Sequence, residues 1–200
     1  YAKLIDQKGN AGEEFRINDE TVNNQAYPYS VALLNGSILI TWQSNMTDGD
    51  HYGVYAKIID TQGQVVTPDF LVNTFTYEEQ SAPQAAQFPN GNVMIVWQSY
   101  SQDTSGYGVY GKIYDETGRE VMMETRLNNY INSNQKSPII SIIGGGNALV
   151  LWISRFQDGD DYGIFGKIIS PDGNIVVDEF QVNGYFKSYQ NSPQILNLQN

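Results

Sequence analysis

VMIVWQSYSQDTSGYGVYGKIYDETGRE, residues 93–120, decides the fold. Val93-Met94-Ile95-Val96-Trp97 is apolar without alternation, as a strand covered on both faces must be. A polar loop follows, Ser99 to Gly108. Val109-Tyr110-Gly111-Lys112-Ile113-Tyr114-Asp115 then alternates small or aliphatic residues with larger amphipathic ones, which predicts a half-exposed strand. Glu116-Thr117-Gly118-Arg119 turns the chain, and Glu120 to Asn128 supplies a more polar strand. Upstream, Ala82 to Phe88 is a short run that ends in the hairpin signal Pro89-Asn90-Gly91-Asn92. Together these segments predict four antiparallel strands, and no helical period of convincing length occurs.

The pattern recurs along the chain. Trp42, Trp97 and Trp152 are spaced 55 residues apart, as are Gly53, Gly108 and Gly163, and Lys57, Lys112 and Lys167. The register continues through Asn18, Asn73, Asn128 and Asn183, through Gln25, Gln80, Gln135 and Gln190, and through Pro28, Pro83, Pro138 and Pro193. So long a period marks tandem supersecondary units, each needing a neighbour to bury its apolar face. Four strands per unit predict an all-β fold of β-propeller blades. A β-sandwich needs about seven strands and about 100 residues per unit, and a β-helix coil has a shorter repeat.

The chain reads as one repeat domain, 1–200, with a partial unit at 1–35, units at about 36–90 and 91–145, and a partial unit at 146–200. It starts in mid-unit, which predicts a fragment of a longer array. The unmatched ends predict self-association or pairing with neighbouring repeats.

Composition narrows the function classes. With 40% hydrophobic and 12% aromatic residues, the 200 residues can bury a core and are not disordered. A net charge of −11 repels nucleic acid and anionic membranes. The absence of cysteine excludes disulfides, thiolate metal sites and cysteine nucleophiles. No apolar run reaches the roughly 18 residues of a membrane span, and no signal segment opens the sequence.

The segments at 93–120 and 149–174 (LVLWISRFQDGDDYGIFGKIISPDGN) resemble a tandem repeat of very large surface and secreted proteins of bacteria and ciliates. The shared pattern is Trp-Gln-Ser, an Asp/Gly loop, then Gly-Tyr-Gly-Val-Tyr-Gly-Lys, and it covers essentially the whole chain. This resemblance implies a propeller-like array on an extracellular surface and no particular reaction. A weaker likeness is to sialidase-type blades, with a Pro-led strand, an Asn/Asp-Gly turn and a Trp-bearing strand in similar order. The Ser-x-Asp-x-Gly-x-x-Trp box of that group is matched only in part, by Ser170-Pro171-Asp172-Gly173. Its arginine cluster has no counterpart, because Arg16, Arg119, Arg126 and Arg155 stand at unrelated repeat positions. Such a likeness implies a shared fold without shared chemistry.

Several residues are candidates for chemistry. Asp48-Gly49-Asp50, Asp103 and Asp158-Gly159-Asp160-Asp161 offer clustered carboxylates of the kind Ca²⁺ requires; the plain alternative is that they are turn residues. No other cofactor is expected. Gly106-Tyr107-Gly108-Val109-Tyr110-Gly111 matches Gly-x-Gly-x-x-Gly but leads into a strand rather than a helix, so no dinucleotide site follows.

The three tryptophans are expected in the core, each indole N–H meeting a local acceptor, rather than as sugar platforms. Tyr52, Tyr107 and Tyr162, beside the acidic loops, suit loop anchoring or saccharide contact. Lys57, Lys112 and Lys167 suit buried stems whose heads meet carboxylates. His51 stands alone, which leaves little material for triads. Asn35-Gly36-Ser37 and Asn45-Met46-Thr47 are sequons that place candidate glycans at Asn35 and Asn45.

Because the polar residues repeat instead of converging, the sequence predicts a non-enzymatic extracellular scaffold, adhesin or fibre-forming protein. The alternative is a glycan-binding or glycan-processing propeller.

Overall fold

Every strand recurs at the 55-residue interval. The computed structural model describes residues 1–115 and 118–196. Among these, twelve strands form three antiparallel sheets of four, and no helix occurs. The first sheet contains β1 (Gln25–Ala32), β2 (Ile38–Asn45), β3 (Tyr52–Ile59) and β4 (Val65–Leu71). The second contains β5 (Gln80–Gln87), β6 (Val93–Tyr100), β7 (Tyr107–Tyr114) and β8 (Glu120–Arg126). The third contains β9 (Gln135–Ile142), β10 (Ala148–Arg155), β11 (Tyr162–Ile169) and β12 (Ile175–Gln181).

Strands follow one another in space as in sequence, and the Trp strand is the second in each sheet, as expected for a blade. Glu116 and Thr117 of the expected turn lie outside the described residues. Its flanks are closed by the Asp115 N–H, which donates to the Arg119 carbonyl at 2.8 Å. Ahead of β1, residues 1–17 make an antiparallel pair, Ala2 with Phe15 and Ile5 with Ala11.

The blades bury their apolar faces against each other. Trp97 lies between the first two blades with Leu39, Val54, Val72 and Ile95, and Trp152 between the second and third with Phe88, Met94, Val109 and Ile113. Trp42 packs on the N-terminal pair through Ile17 and Phe15. Trp97 and Trp152 are fully buried and Trp42 is 5% exposed, so none is a sugar platform. The indole N–H groups of Trp97 and Trp152 have no hydrogen-bond partner among the described residues, contrary to expectation. Both rings are sealed in apolar layers that hold few acceptors.

The repeated polar residues fasten one blade to the next. The Lys57 ammonium donates to the Ile17 carbonyl and pairs with Asp19 at 2.9 Å and Asp69 at 2.8 Å. Lys112 reaches across to the Val72 carbonyl at 3.2 Å and the Thr74 hydroxyl at 3.3 Å, and pairs with Glu120 at 2.8 Å. Lys167 reaches Asn129 at 2.9 Å and Asp178 at 3.1 Å. In the opposite sense, Asp69, Glu124 and Glu179 accept the backbone N–H groups of Asp19, Thr74 and Asn129.

Asn73 and Asn128 accept the N–H of Val54 and Val109, each at 2.7 Å, and donate to the Gln80 and Gln135 side chains. The glutamine of Trp-Gln-Ser has a further task. The first strand of each blade carries a bulge before its proline, with Tyr27, Ala82 and Ser137 at φ of 53°, 53° and 55°. That left-handed backbone is costly for a residue with a side chain. The preceding blade's glutamine offsets the cost: Gln43 Oε1 accepts the Ala82 N–H at 3.1 Å and Gln98 Oε1 the Ser137 N–H at 2.9 Å.

Candidate functional site

The loops after each second strand (46–51, 101–106, 156–161) and those after each fourth strand (72–79, 127–134, 182–189) gather at one end of the blades. They are clasped by one repeated contact. Asp50 Oδ2 accepts the Glu78 N–H at 2.8 Å, Ser105 Oγ the Ser133 N–H at 2.9 Å, and Asp160 Oδ2 the Ser188 N–H at 2.9 Å. The accepting partner stabilises Glu78, Ser133 and Ser188, all of which hold positive φ.

This end contains the Ca²⁺ candidates, but the fold gives them separate places. Among the described residues no three acidic or histidine side chains are grouped as a metal site. Asp48, Asp103 and Asp158 turn inward beneath Gly53, Gly108 and Gly163, where a Cβ would overlap each carboxylate. That close approach explains the repeated glycine. Gly106 serves the neighbouring blade, since a Cβ there would overlap Asn134 and the Ser133 carbonyl. Asp50 and Asp160 make the clasps, and Asp161 pairs with Arg155 at 3.3 Å. Asn35 is exposed in its turn, where its side chain accepts the Ser37 N–H at 2.9 Å; Asn45 is half-buried at the end of β2.

Burial pushes the Asp48 and Asp103 carboxyls above the usual carboxylate range, against hydrogen bonds that draw them down. Asp103 is 6% exposed. A raised native pKa stabilises the fold below the unfolded value near 3.8 and withdraws that support as pH rises through the native value. Asp103→Asn is therefore expected to flatten the loss of stability above pH 4 relative to the parent. Urea melts at several pH values measure this, and parallel profiles for the two proteins would show that the carboxylate does not titrate abnormally.

With the repeated residues assigned to fastening, the departures from the repeat stand out. Between the first and second blades, His51 Nδ1 lies 2.8 Å from Asp50 Oδ1 and 3.8 Å from Glu78 Oε2. Asp50 is held below the usual carboxylate range by the Glu78 N–H and the His51 ring. At the start of β5, Glu79 Oε1 accepts the Ser81 hydroxyl at 2.6 Å, and Ser81 Oγ in turn accepts from Gln98 Nε2 at 3.0 Å. Tyr107 touches Tyr100 edge-to-face at 5.0 Å. Burial first, then the Glu79 carboxylate to which it hydrogen-bonds, raises the Tyr107 phenol above its ordinary pKa.

In the third blade the corresponding corner is cationic. Lys136 and Arg155 both approach the Tyr162 ring, which meets Tyr189 at 5.0 Å. Glu78, Glu79 and Lys136 were not legible as site residues from motifs. The signal that finds them is negative: they break the repeat, where Asn23, Asn24 and Ala26 stand one period earlier than Glu78, Glu79 and Ser81.

No family model and no curated protein matches this chain. Among solved structures it is similar to a protein of unknown function from Dyadobacter fermentans DSM 18053 (TM-score 0.57, 11% identity, 82% of this chain and 56% of that one). It is similar to an endo-arabinase from Bacteroides thetaiotaomicron VPI-5482 (TM-score 0.52, 12% identity, 80% and 62%). It is also similar to a thermostable family-43 glycoside hydrolase (TM-score 0.54, 8% identity, 88% and 62%). The chain spans about three fifths of the length of these structures.

The likeness to sialidase-type blades thus holds at the level of propeller architecture, and no family match supports the likeness to repeats of large surface proteins. The expectation of a non-enzymatic scaffold, adhesin or fibre protein is overturned, because structures with this architecture include glycan hydrolases. Its premise also fails physically. The polar residues that repeat are blade fasteners, so their repetition carries no information about catalysis, while residues that differ between blades, such as Glu78, Glu79 and His51, lie at the loop end. At identities this low the comparisons establish the fold, all-β propeller blades.

Proposed function

We propose that this chain is part of a glycan-processing propeller that binds a saccharide at the loop end of its blades and hydrolyses a glycosidic bond there. The observation that carries this reading is the gathering of carboxylates and aromatics at one end: the non-repeated Glu79 beside Tyr107 and Tyr100, and the non-repeated Glu78 and His51 beside Asp50. Glycoside hydrolysis needs one carboxyl group that stays ionised and another that gives up a proton. The Ser81 and Tyr107 hydroxyls donate to Glu79 and hold its carboxylate in place, which suits it to act as base or nucleophile. Glu78, beside an imidazole that can relay a proton, is placed for the acid role. Tyrosine rings supply the apolar faces on which sugars stack.

Turnover on a panel of glycosides and polysaccharides tests this. Glu79→Gln is expected to lower kcat by about 10² or more while leaving the melting temperature unchanged. Binding on a glycan array without turnover would favour a lectin-like role, and neither binding nor turnover would reject the reading.

A further inference from the structure

We propose that Lys136 and Arg155 form a subsite for a carboxylate-bearing sugar, a uronic acid unit of the glycan; this rests on the glycan-processing reading above. The third blade differs from its sisters in a coordinated way. At the position of Lys136 the other blades carry Ala26 and Ser81, and at that of Arg155 they carry Asn45 and Tyr100. The glutamine that pairs with Ser81 in the second blade is replaced by Ile153, the register partner of Lys136. Backbone pairing is the same in all three sheets, so the fold does not require either cation.

Both charges nonetheless come to one ring, that of Tyr162. Lys136 Nζ lies 5.1 Å from the centre of the Tyr162 ring, and the Arg155 guanidinium carbon lies 5.8 Å from it and 4.5 Å from that of Phe156. Two cations sharing one ring repel each other, and an anion relieves that repulsion. The counter-charge present is incomplete. Asp161 engages Arg155 through Nε alone, at 3.3 Å, and Lys136 has no ion-pair partner among the described residues.

Arg155 keeps 41% of its side chain exposed, which leaves its terminal N–H groups able to meet a planar carboxylate in a two-pronged hydrogen bond. Phe156 and Tyr189, 51% and 47% exposed, offer ring faces for the sugar that bears the carboxylate. A net charge of −11 opposes non-specific attraction of polyanions, so any such binding must be local.

Binding to neutral, uronic-acid-containing and sulfated oligosaccharides, measured by titration calorimetry at low and high salt, tests the subsite. The uronic-acid ligands are expected to bind about tenfold more tightly than neutral ones of the same backbone, an advantage that shrinks with salt. Lys136→Ser combined with Arg155→Asn installs residues that sister blades already carry. It is expected to abolish the preference while leaving neutral-glycan affinity and the melting temperature unchanged. Neutral ligands binding as well as uronic ones, or a preference that survives the double variant, would overturn the subsite and leave the glycan reading standing. Sulfated ligands binding more tightly than uronic ones would overturn the carboxylate assignment. No binding in any arm would remove both the subsite and the glycan reading.

Discussion

Trp97→Ala is expected to cost about 4 kcal/mol of folding stability. The indole is fully buried between two complete blades, where Leu39, Val54, Ala56, Val72 and Ile95 surround it. Its removal loses the transfer free energy of a large ring and leaves a cavity that rigid sheets on both sides cannot close. Trp42→Ala is expected to cost less. Trp42 is 5% exposed, and its layer includes the two-bridge N-terminal pair, which can shift to fill the space. Guanidinium melts of both variants measure the difference. Equal costs would show that the N-terminal pair is as firmly set as a full blade, and a cost below about 1 kcal/mol at Trp97 would contradict its place in the core.

Lys57→Met is expected to cost about 3 kcal/mol, and Lys112→Met about half as much, although the two lysines occupy the same repeat position and are equally buried. What differs is the group left behind. The Lys57 side chain, 3% exposed, pairs with Asp69, whose side chain is only 15% exposed, so its loss strands a charge that is poorly hydrated. Lys112 pairs with Glu120, 47% exposed, which can turn to solvent. Burial by itself would depress the Lys57 ammonium, but hydrogen bonds to Asp69 and Asp19 outweigh it and raise the pKa above the usual lysine value.

The stabilisation is therefore present throughout the neutral range, and lost only as pH rises through that elevated native value. Lys57→Met with Asp69→Asn is expected to recover part of the loss, because the neutral amide can still accept the Asp19 N–H without carrying an unpaired charge. Costs in the reverse order, or no recovery in the double variant, would show that the buried carboxylate is not what makes Lys57 matter.

The sequence by itself determined the blade. Apolar runs such as Val93 to Trp97 pair best when covered on both faces, the turns at Pro89-Asn90-Gly91-Asn92 and its equivalents set the register, and the 55-residue interval forces each unit to seek an identical neighbour. These are local or periodic signals, readable without coordinates. The pairing of the lysine heads with carboxylates was also legible, since a cation repeated in an apolar strand must find a partner, while the burial of those heads was not.

What only the tertiary structure decided is which polar residues are spoken for. Lys112 meets the Val72 carbonyl 40 residues away, Gln98 caps Ser137 39 residues away, and the Asp103 carboxylate fills the space left by Gly108. In sequence, these residues look the same as a metal cluster or a catalytic set, because chemical type is visible there and contact is not. Once those contacts across blades are known, what remains is the small group that breaks the repeat. Glu79 and His51 stand on one side and Lys136 and Arg155 on the other, brought to one end of the molecule because antiparallel strands of equal length return every second loop to the same edge.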